Sequence, residues 1–436
     1  MSRLGIERTS SLRDHLAEHG ALPTVPARRG RHAGALVNEV ERAGLRGRGG
    51  GWFPTAVKLR AVVDSAAERG RLRPGRGPVV IANGMEGEPA SGKDTALLAA
   101  SPHLVLDGIS AAATTIGATD AFLAVHRGSP LVPGLVDALE ERARAGADSL
   151  PIHIVTPPAR YVASEESALS HWVGDGLATP VYPDRPFRKG AAGRPTLVQN
   201  VETLAHLALV ARHGGEWFAS VGAASAPGTT LVTVGGAVEH PGIVEVPTGT
   251  TVGEILTLRG GAIGPARGYL TGGYGGGWIA ADGFDRTPWA PDAMTAAGAV
   301  IGASLLWRVG EHDCPLDEMA RVTAWMAGES AGQCGPCIFG LPSVSSDVHR
   351  LAVRAADAQD LDRLRGRLGL VSNRGGCKHP DGVARFVSTG LAAFDDEVRL
   401  HLSGRCSVDH GDGPRGSLPV PAARLALVDV GAKDFA

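Results

Sequence analysis

Short apolar runs at Val79–Ala82, Ala121–Val125 and Ile152–Val155 alternate with helical patterns such as Leu104–Ile116 and Leu131–Leu139. That alternation requires βαβ units and a mainly parallel sheet, because successive strands separated by helices are joined by crossovers. A loop-rich segment from Tyr161 to Asn200 follows, then a helical run from Val201 to Val210. Around Pro227 the character changes. Thr230–Val234, Gly242–Val246 and Val252–Leu256 are strand-like or turn-bounded pieces closed by TGGYGGGW at Thr271–Trp278, which predicts a small domain with a curled mixed sheet.

From Cys314 the pattern turns helical. Met319, Val322, Trp325 and Met326 recur at three- and four-residue steps, and Pro315 sits where a first helical turn accepts proline. Leu361, Leu364 and Leu368 repeat the spacing, as do Val383, Phe386, Val387, Leu391 and Phe394, with Asp381 as the expected cap. A helical bundle is expected there, preceded at the N-terminus by a polar lead-in and followed after about Gly411 by an irregular tail. With 436 residues the chain is too long for one core and implies two to four domains.

The net charge of −2 gives no field to attract nucleic acid. Met1 is followed by charged and polar residues rather than an apolar leader, and no stretch reaches the ~20 apolar residues that span a bilayer. The expectation is a cytoplasmic protein. All five cysteines lie beyond residue 313. Clustered thiols late in a large chain favour metal or redox chemistry over a disulfide framework.

GLRGRGGGWFPTAVK at Gly44–Lys58 interleaves glycines with Arg46 and Arg48. Such a loop lets main-chain N–H groups approach a phosphate while cations offset its charge. It is neither a dinucleotide fingerprint nor a P-loop, since no GxGxxG follows a strand and no Gly-Lys-Ser/Thr ends it. A structural loop is the competing reading.

Four segments in order, GRGGGWFPTAVK at Gly47–Lys58, NGMEGEPASGKD at Asn83–Asp94, YVASEESAL at Tyr161–Leu169 and GRPTLVQNVETL at Gly193–Leu204, resemble the flavin- and NADH-binding segments of the NADH-oxidising subunit of respiratory complex I. Related subunits occur in NAD-linked hydrogenases and formate dehydrogenases. The resemblance continues through TGGYGGGW to ESAGQCGPC at Glu329–Cys337 and covers roughly residues 40 to 395. It implies an α/β plus α architecture: a lead-in and Rossmann-like FMN/NADH domain over 1–225, a ubiquitin-like (β-grasp, SLBB-type) domain over 226–303, an iron–sulfur-binding helical bundle over 304–411, and a tail over 412–436.

By resemblance, Gly47, Arg48, Gly49, Gly50 and Lys58 would line the FMN phosphate and ring. Asn83 and Glu86 would meet the flavin, with Glu88 on the nicotinamide-nucleotide side. Tyr161, Glu165 and Glu166 would bracket the cofactors, and Asn200 and Thr203 would bind FMN near its phosphate. Phe53 and Phe187 are candidates for stacking on the NADH adenine. Hydride transfer to a flavin needs no catalytic acid or base, so Glu88 and Glu166 are merely near it. The chain departs from the family at Trp52, Met85, Ser164 and Gln199, where the family has Gly, Asp, Gly and Asn. Trp52 either blocks the nucleotide or offers it another stacking face, and Met85 removes an acidic acceptor.

Cys334-Gly-Pro-Cys337 admits two chemistries. As a dithiol it belongs at a helix start after a strand in a small βαβ fold. The family motif instead makes it part of an iron–sulfur site, with Cys377 at the distant ligand position and Ala331 where the first cysteine would stand. Three thiolates imply a 3Fe–4S cluster, or a 4Fe–4S cluster with an unusual fourth ligand; His379, water and hydroxide are candidates.

Cys314 stands seventeen residues before Ala331, ~25 Å away along a helix. If this helix and the one leaving Cys377 run antiparallel, Cys314 meets Cys406 at the far end of the bundle, with His312, His401 and His410 close in sequence. A second metal site, a thiol pair and two inert buried cysteines are the readings there.

The activity implied is that of an NADH dehydrogenase: hydride from NADH onto FMN, then single electrons through the cluster to a ferredoxin or a small thioredoxin-like iron–sulfur subunit. A larger membrane-attached complex on the inner membrane face is a further implied partner. The alternatives are an FMN and iron–sulfur electron carrier that does not use NADH, and a cofactor-less assembly scaffold.

Overall fold

A computed structural model describes residues 2–6, 11–23, 33–72, 76–408 and 417–421. The first sheet is parallel, with strands β1 (Val79–Asn83), β2 (Asp120–Ala124), β3 (Ile152–Val155) and β4 (Thr196–Asn200) in the order β3-β2-β1-β4. The chain moves outward from β1 to β3 and then returns to the other side of β1. That reversal opens a crevice at the carboxyl ends of β1 and β4, where ligands bind in such sheets. Asn83 pairs with Asn200 in register, so the two asparagines stand side by side at that edge.

Helices Pro102–Ile116 and Val201–His213 carry the core beneath the sheet and are buried along nearly their whole length. Gly108 permits their contact: a Cβ there would lie 2.0 Å from the Leu204 carbonyl oxygen. The segment expected to be loop-rich contains β4 and the helix Glu166–Asp175, whose N-terminus is capped by Glu165.

A short hairpin, β5 (Gly222–Ala223) and β6 (Ala226–Pro227), leads into the middle sheet. That sheet comprises β7 (Thr229–Gly236), β8 (Gly242–Pro247), β9 (Ala266–Thr271), β10 (Gly277–Ala280) and β11 (Leu305–Gly310) in the order β10-β9-β11-β7-β8. Only the β11–β7 pair is parallel, which is the mixed order of a β-grasp. Two expectations change. Val252–Leu258 is a helix, started by a capping box in which Thr251 and Glu254 satisfy each other's backbone N–H groups. The central strand β11 runs to Gly310, so the sheet extends past the expected boundary at 303.

The bundle contains helices Pro315–Gly328, Leu341–Ala352, Ala358–Val371, His379–Ala393 and Asp395–Leu402. Their periodic residues, including Met319, Val322, Leu364, Phe386 and Val387, form one apolar cluster. Each such side chain contributes about 1.5–3 kcal/mol by leaving water. Asp381 is not a helix cap: the helix starts at His379, and Asp381 accepts from Asn373 N and Lys378 Nζ. Of the expected tail, 417–421 pack back on the bundle, where Leu418 is buried and donates its N–H to Glu318. Among the described residues no single helix is long and apolar enough to cross a membrane.

Candidate functional site

At the carboxyl edge of β1 and β4 lies a cavity of about 510 Å³. Its first wall is the glycine loop, closed by a hydrogen bond from Gly47 N to Phe53 O of 2.9 Å. A Cβ on Gly49 would stand 2.9 Å from Asn200 Cβ, so the loop can lie against β4 only with glycine there. The two arginines do something other than expected. Arg46 Nε donates to Ser225 O, and the fully buried Arg48 guanidinium donates to Pro227 O and Thr229 O. These cations stitch the loop to the main chain of residues 225–229, and Arg48 also lines the cavity. Trp52, at φ 46°, lines the cavity but belongs to the middle unit's apolar cluster, and the Arg48 guanidinium lies 4.3 Å from its ring centroid. Phe53 is the half-exposed aromatic of the wall.

Behind β1, Asn83 donates to Ser164 O and accepts from Met85 N. Met85 itself is buried in the apolar cluster beside the sheet, not in the cavity wall. Glu86 turns its carboxylate to the start of helix Lys93–Ala100, accepting from Asp94 N, Thr95 N and the Ser91 hydroxyl. Glu88 accepts from Tyr274 N through Oε2 at 2.7 Å, while Oε1 is buried with no partner among the described residues. Burial pushes its carboxyl up to about 8, against the pull of the Tyr274 and Ala90 amides.

The opposite wall comes from Tyr161–Glu166. Glu165 serves the helix it caps, accepting from Ser167 N and Ala168 N. Glu166 pairs with Lys58 Nζ at 2.8 Å. The Tyr161 ring stands edge-on to Trp325, 5.7 Å between centroids, and 5.6 Å from the His379 ring. Burial and then the neighbouring Glu88 push its phenol upward.

At β4, Asn200 caps helix Val201–His213 through Oδ1 and donates to Asp94 Oδ2 at 2.7 Å. Lys93 is buried between Asp94, at 2.6 Å, and Glu202, at 2.9 Å. Burial opposes the charge on Glu202, but Lys93 with His206 and Arg48 holds its carboxyl down at about 2. Gln199 Oε1 is buried with no partner among the described residues. Two expected residues stand outside the wall. Thr203 is buried and accepts from Arg48 N, and Phe187 packs against the core of the first sheet. Lys93, Asp94, Lys378 and Arg385 line the cavity without having been singled out, as do Gln199, named only as a departure from the family, and His379, named only as a candidate cluster ligand. One signal was available: three of the five lysines, Lys58, Lys93 and Lys378, line it.

Cys334, Cys337 and Cys377 line a second cavity of about 460 Å³ together with Ala331. Burial, then the neighbouring Cys334 and Cys377, pushes the Cys337 thiol up to about 12, so that group ionises only around a cation. Val162, Cys377 and His379 line both cavities. His379 Nε2 donates to Met326 O at 2.9 Å, which leaves Nδ1 as the lone-pair nitrogen, buried and without a partner among the described residues. Burial lowers its pKa to about 4, so the ring is neutral.

The walls fit the two groups that the sequence implies. A glycine-lined cleft with the unpartnered oxygens Gln199 Oε1, an acceptor, and Glu88 Oε1, a donor when its carboxyl is protonated, suits the polar edge of a flavin mononucleotide. Three thiols around one space suit sulfur-ligated iron. Fold and site together define a flavin and iron–sulfur electron-transfer protein.

Comparison with known proteins agrees. Residues 40–209 match the Nuo51 FMN-binding domain, 231–273 the SLBB domain, and 317–401 the NADH-ubiquinone oxidoreductase-F iron-sulfur binding region. The F subunit of the NADH-quinone oxidoreductase of Mycobacterium bovis is 30% identical over 399 residues, 88% of each chain. The NADP-reducing hydrogenase subunit HndC of Solidesulfovibrio fructosivorans is 26% identical over 84% of this chain and 76% of its own. A crystal structure of an NAD+-reducing [NiFe]-hydrogenase in the H2-reduced state superposes with a TM-score of 0.77 at 28% identity, over 93% of this chain and 68% of that one. The chain belongs to the family of NADH-quinone oxidoreductase F subunits.

Proposed function

We propose that this chain is an electron-entry subunit that oxidises NADH at FMN and delivers electrons through an iron–sulfur cluster to a partner subunit. The observation that carries the reading is the shared wall: Val162, Cys377 and His379 separate the two cavities by the thickness of side chains. When bound, FMN supplies the conversion between a two-electron hydride donor and single-electron transfers.

The chain's residues do the rest. Gly47, Gly49 and Gly50 admit the flavin to the β4 edge, and Lys58 offers the cation for its phosphate from a position fixed by Glu166. Asn83, Glu86 and Asn200 hold the floor through their own hydrogen bonds. Glu88 keeps a proton near neutrality beside the space assigned to the nicotinamide. Phe53 gives the nucleotide base a stacking face. Cys334, Cys337 and Cys377 would bind the cluster, with His379 Nδ1 as the fourth donor in place of the thiolate missing at Ala331.

The relatives are named as subunits of larger oxidoreductases, which supports a multi-subunit partner for this chain too. We assign that partner as a ferredoxin or a small iron–sulfur subunit, and a peripheral position on the membrane through it. Anaerobic NADH added to the purified FMN-loaded chain tests the reading. Rapid loss of flavin absorbance is expected. Bound FMN that is not bleached would leave an electron carrier without NADH chemistry, and a colourless, iron-free chain would leave a scaffold.

A further inference from the structure

Both ends of helix Pro315–Gly328 carry sulfur. At the end away from the thiol cavity, Cys314 precedes the helix, Glu397 and His401 lie one turn apart on helix Asp395–Leu402, and Cys406 follows that helix. The four potential ligand atoms all lie within 4.8 Å of one another. Cys314, Glu397 and His401 are buried. Cys314 and Cys406 meet here as the sequence suggested, and of the three nearby histidines His401 joins them: His312 is exposed beside Glu311, and His410 lies outside the described residues. Glu397 was overlooked, although its four-residue offset from His401 puts both on one helical face.

The His401 ring is fixed in one tautomer. Its Nδ1 lies 3.0 Å from Leu351 O, an acceptor only, so Nδ1 carries the hydrogen and Nε2 is left to offer its lone pair inward. That lone pair meets Cys314 Sγ at 3.5 Å and Glu397 Oε1 at 3.3 Å. As neutral thiols the cysteines can share their hydrogens with these acceptors, but once they ionise the converging sulfur, nitrogen and oxygen atoms need a cation between them. The two distances are those of a tetrahedral zinc site, whose bond lengths give edges of about 3.5 Å for sulfur to nitrogen and about 3.3 Å for nitrogen to oxygen.

The geometry points to a structural zinc site formed by Cys314, Glu397, His401 and Cys406, distinct from the iron–sulfur cavity. Two thiolates and a carboxylate exceed the charge of one Zn²⁺ by one, and Arg267 supplies the balance by donating to Glu397 Oε2 at 2.8 Å. Ser407 N donates to Glu397 Oε1 at 2.9 Å, orienting the carboxylate. Four ligands from the protein close the coordination sphere, which suits a structural rather than a catalytic metal. The ion joins the start of the first bundle helix to the end of the last, and Arg267 extends the tie to β9 of the middle sheet.

The full cofactor-loaded chain, purified without chelator, is examined by elemental analysis and by X-ray absorption at the zinc edge. About one zinc per chain is expected, with two sulfur and two nitrogen or oxygen neighbours. Zinc falls to background in the Cys314→Ser, Cys406→Ser double variant while iron and flavin contents hold, and His401→Gln lowers zinc without removing a thiol. The native-protein spectrum needs no variant and stands even if the double variant fails to fold. A native chain that takes up no zinc from added Zn²⁺ overturns the proposal. So does zinc with three sulfur neighbours, which belongs to the other cavity, or a disulfide joining Cys314 to Cys406.

Discussion

The Tyr161 amide donates to Glu329 Oε2 at 2.7 Å, joining the loop that walls one cavity to the loop that carries the thiols of the other. Arg160 Nε reaches the same carboxylate at 3.2 Å. Replacing Glu329 with alanine strands a buried amide and weakens the support of Arg160, at a cost of about 1–3 kcal/mol. Denaturant unfolding should show that loss, and stopped-flow spectra should show slower reduction of the cluster than of the flavin.

Lys58→Ala removes the cation beside Glu166 and, under the proposed function, leaves that carboxylate facing the flavin phosphate. A charge-assisted hydrogen bond of about 1.5–3 kcal/mol corresponds to roughly 10- to 100-fold weaker FMN binding. Recovery of flavin fluorescence on dilution measures it.

Gly49→Ala places a methyl group against Asn200 Cβ. The loop must move off β4, with a strain cost of about 1–3 kcal/mol. The variant should fold with its cluster intact but lose FMN during gel filtration.

Glu88 gives a pH dependence of definite sign. Its carboxyl rises from the ordinary 4.5 to about 8 on burial, so between those values the folded chain holds a proton that the unfolded chain has released. Stability contributed by this group therefore falls as pH rises through that window and levels off above 8. In flavin-free protein, melting temperature measured against pH should lose this part of its slope in Glu88→Gln, whose amide oxygen still accepts from Tyr274 N.

Ala331→Cys supplies the thiolate absent from the iron–sulfur cavity. Exchanging a neutral imidazole ligand for a charged sulfur should lower the cluster potential by about 100 mV or more, since histidine ligation raises such potentials. Redox titration followed by electron-spin resonance measures the shift. An unchanged potential would show that His379 is not a ligand.

Strand and helix type could be read where the apolar pattern was long or bounded by clear turns. β4 was hidden because TLVQN is five residues in a stretch crowded with Gly and Pro, and only its pairing with β1 makes it a strand. Helix Val252–Leu258 was read as a strand-like or turn-bounded piece, although the Thr-x-x-Glu spacing of its capping box was there to mark it. Most of the cavity wall was legible because its segments carry family motifs. The destinations of Arg46 and Arg48 were not, since their carbonyl acceptors at 225–229 lie some 180 residues away along the chain. Phe187 and Thr203 are close in sequence to wall residues, but chain proximity does not decide which way a side chain turns. The Cys314–Cys406 meeting was derivable from helix direction alone, whereas Arg267, brought by the middle sheet, was beyond any local pattern.

The anchoring of Arg46 and Arg48 has a practical corollary. Because their guanidinium groups end on the carbonyls of Ser225, Pro227 and Thr229, the curvature of the glycine loop is borrowed from a hairpin and the start of a strand that come some 180 residues later. A truncation stopping before residue 226 would keep every glycine of the loop and still forfeit its shape. Transplanting this flavin cleft to another host therefore means carrying the β-grasp sheet along with it.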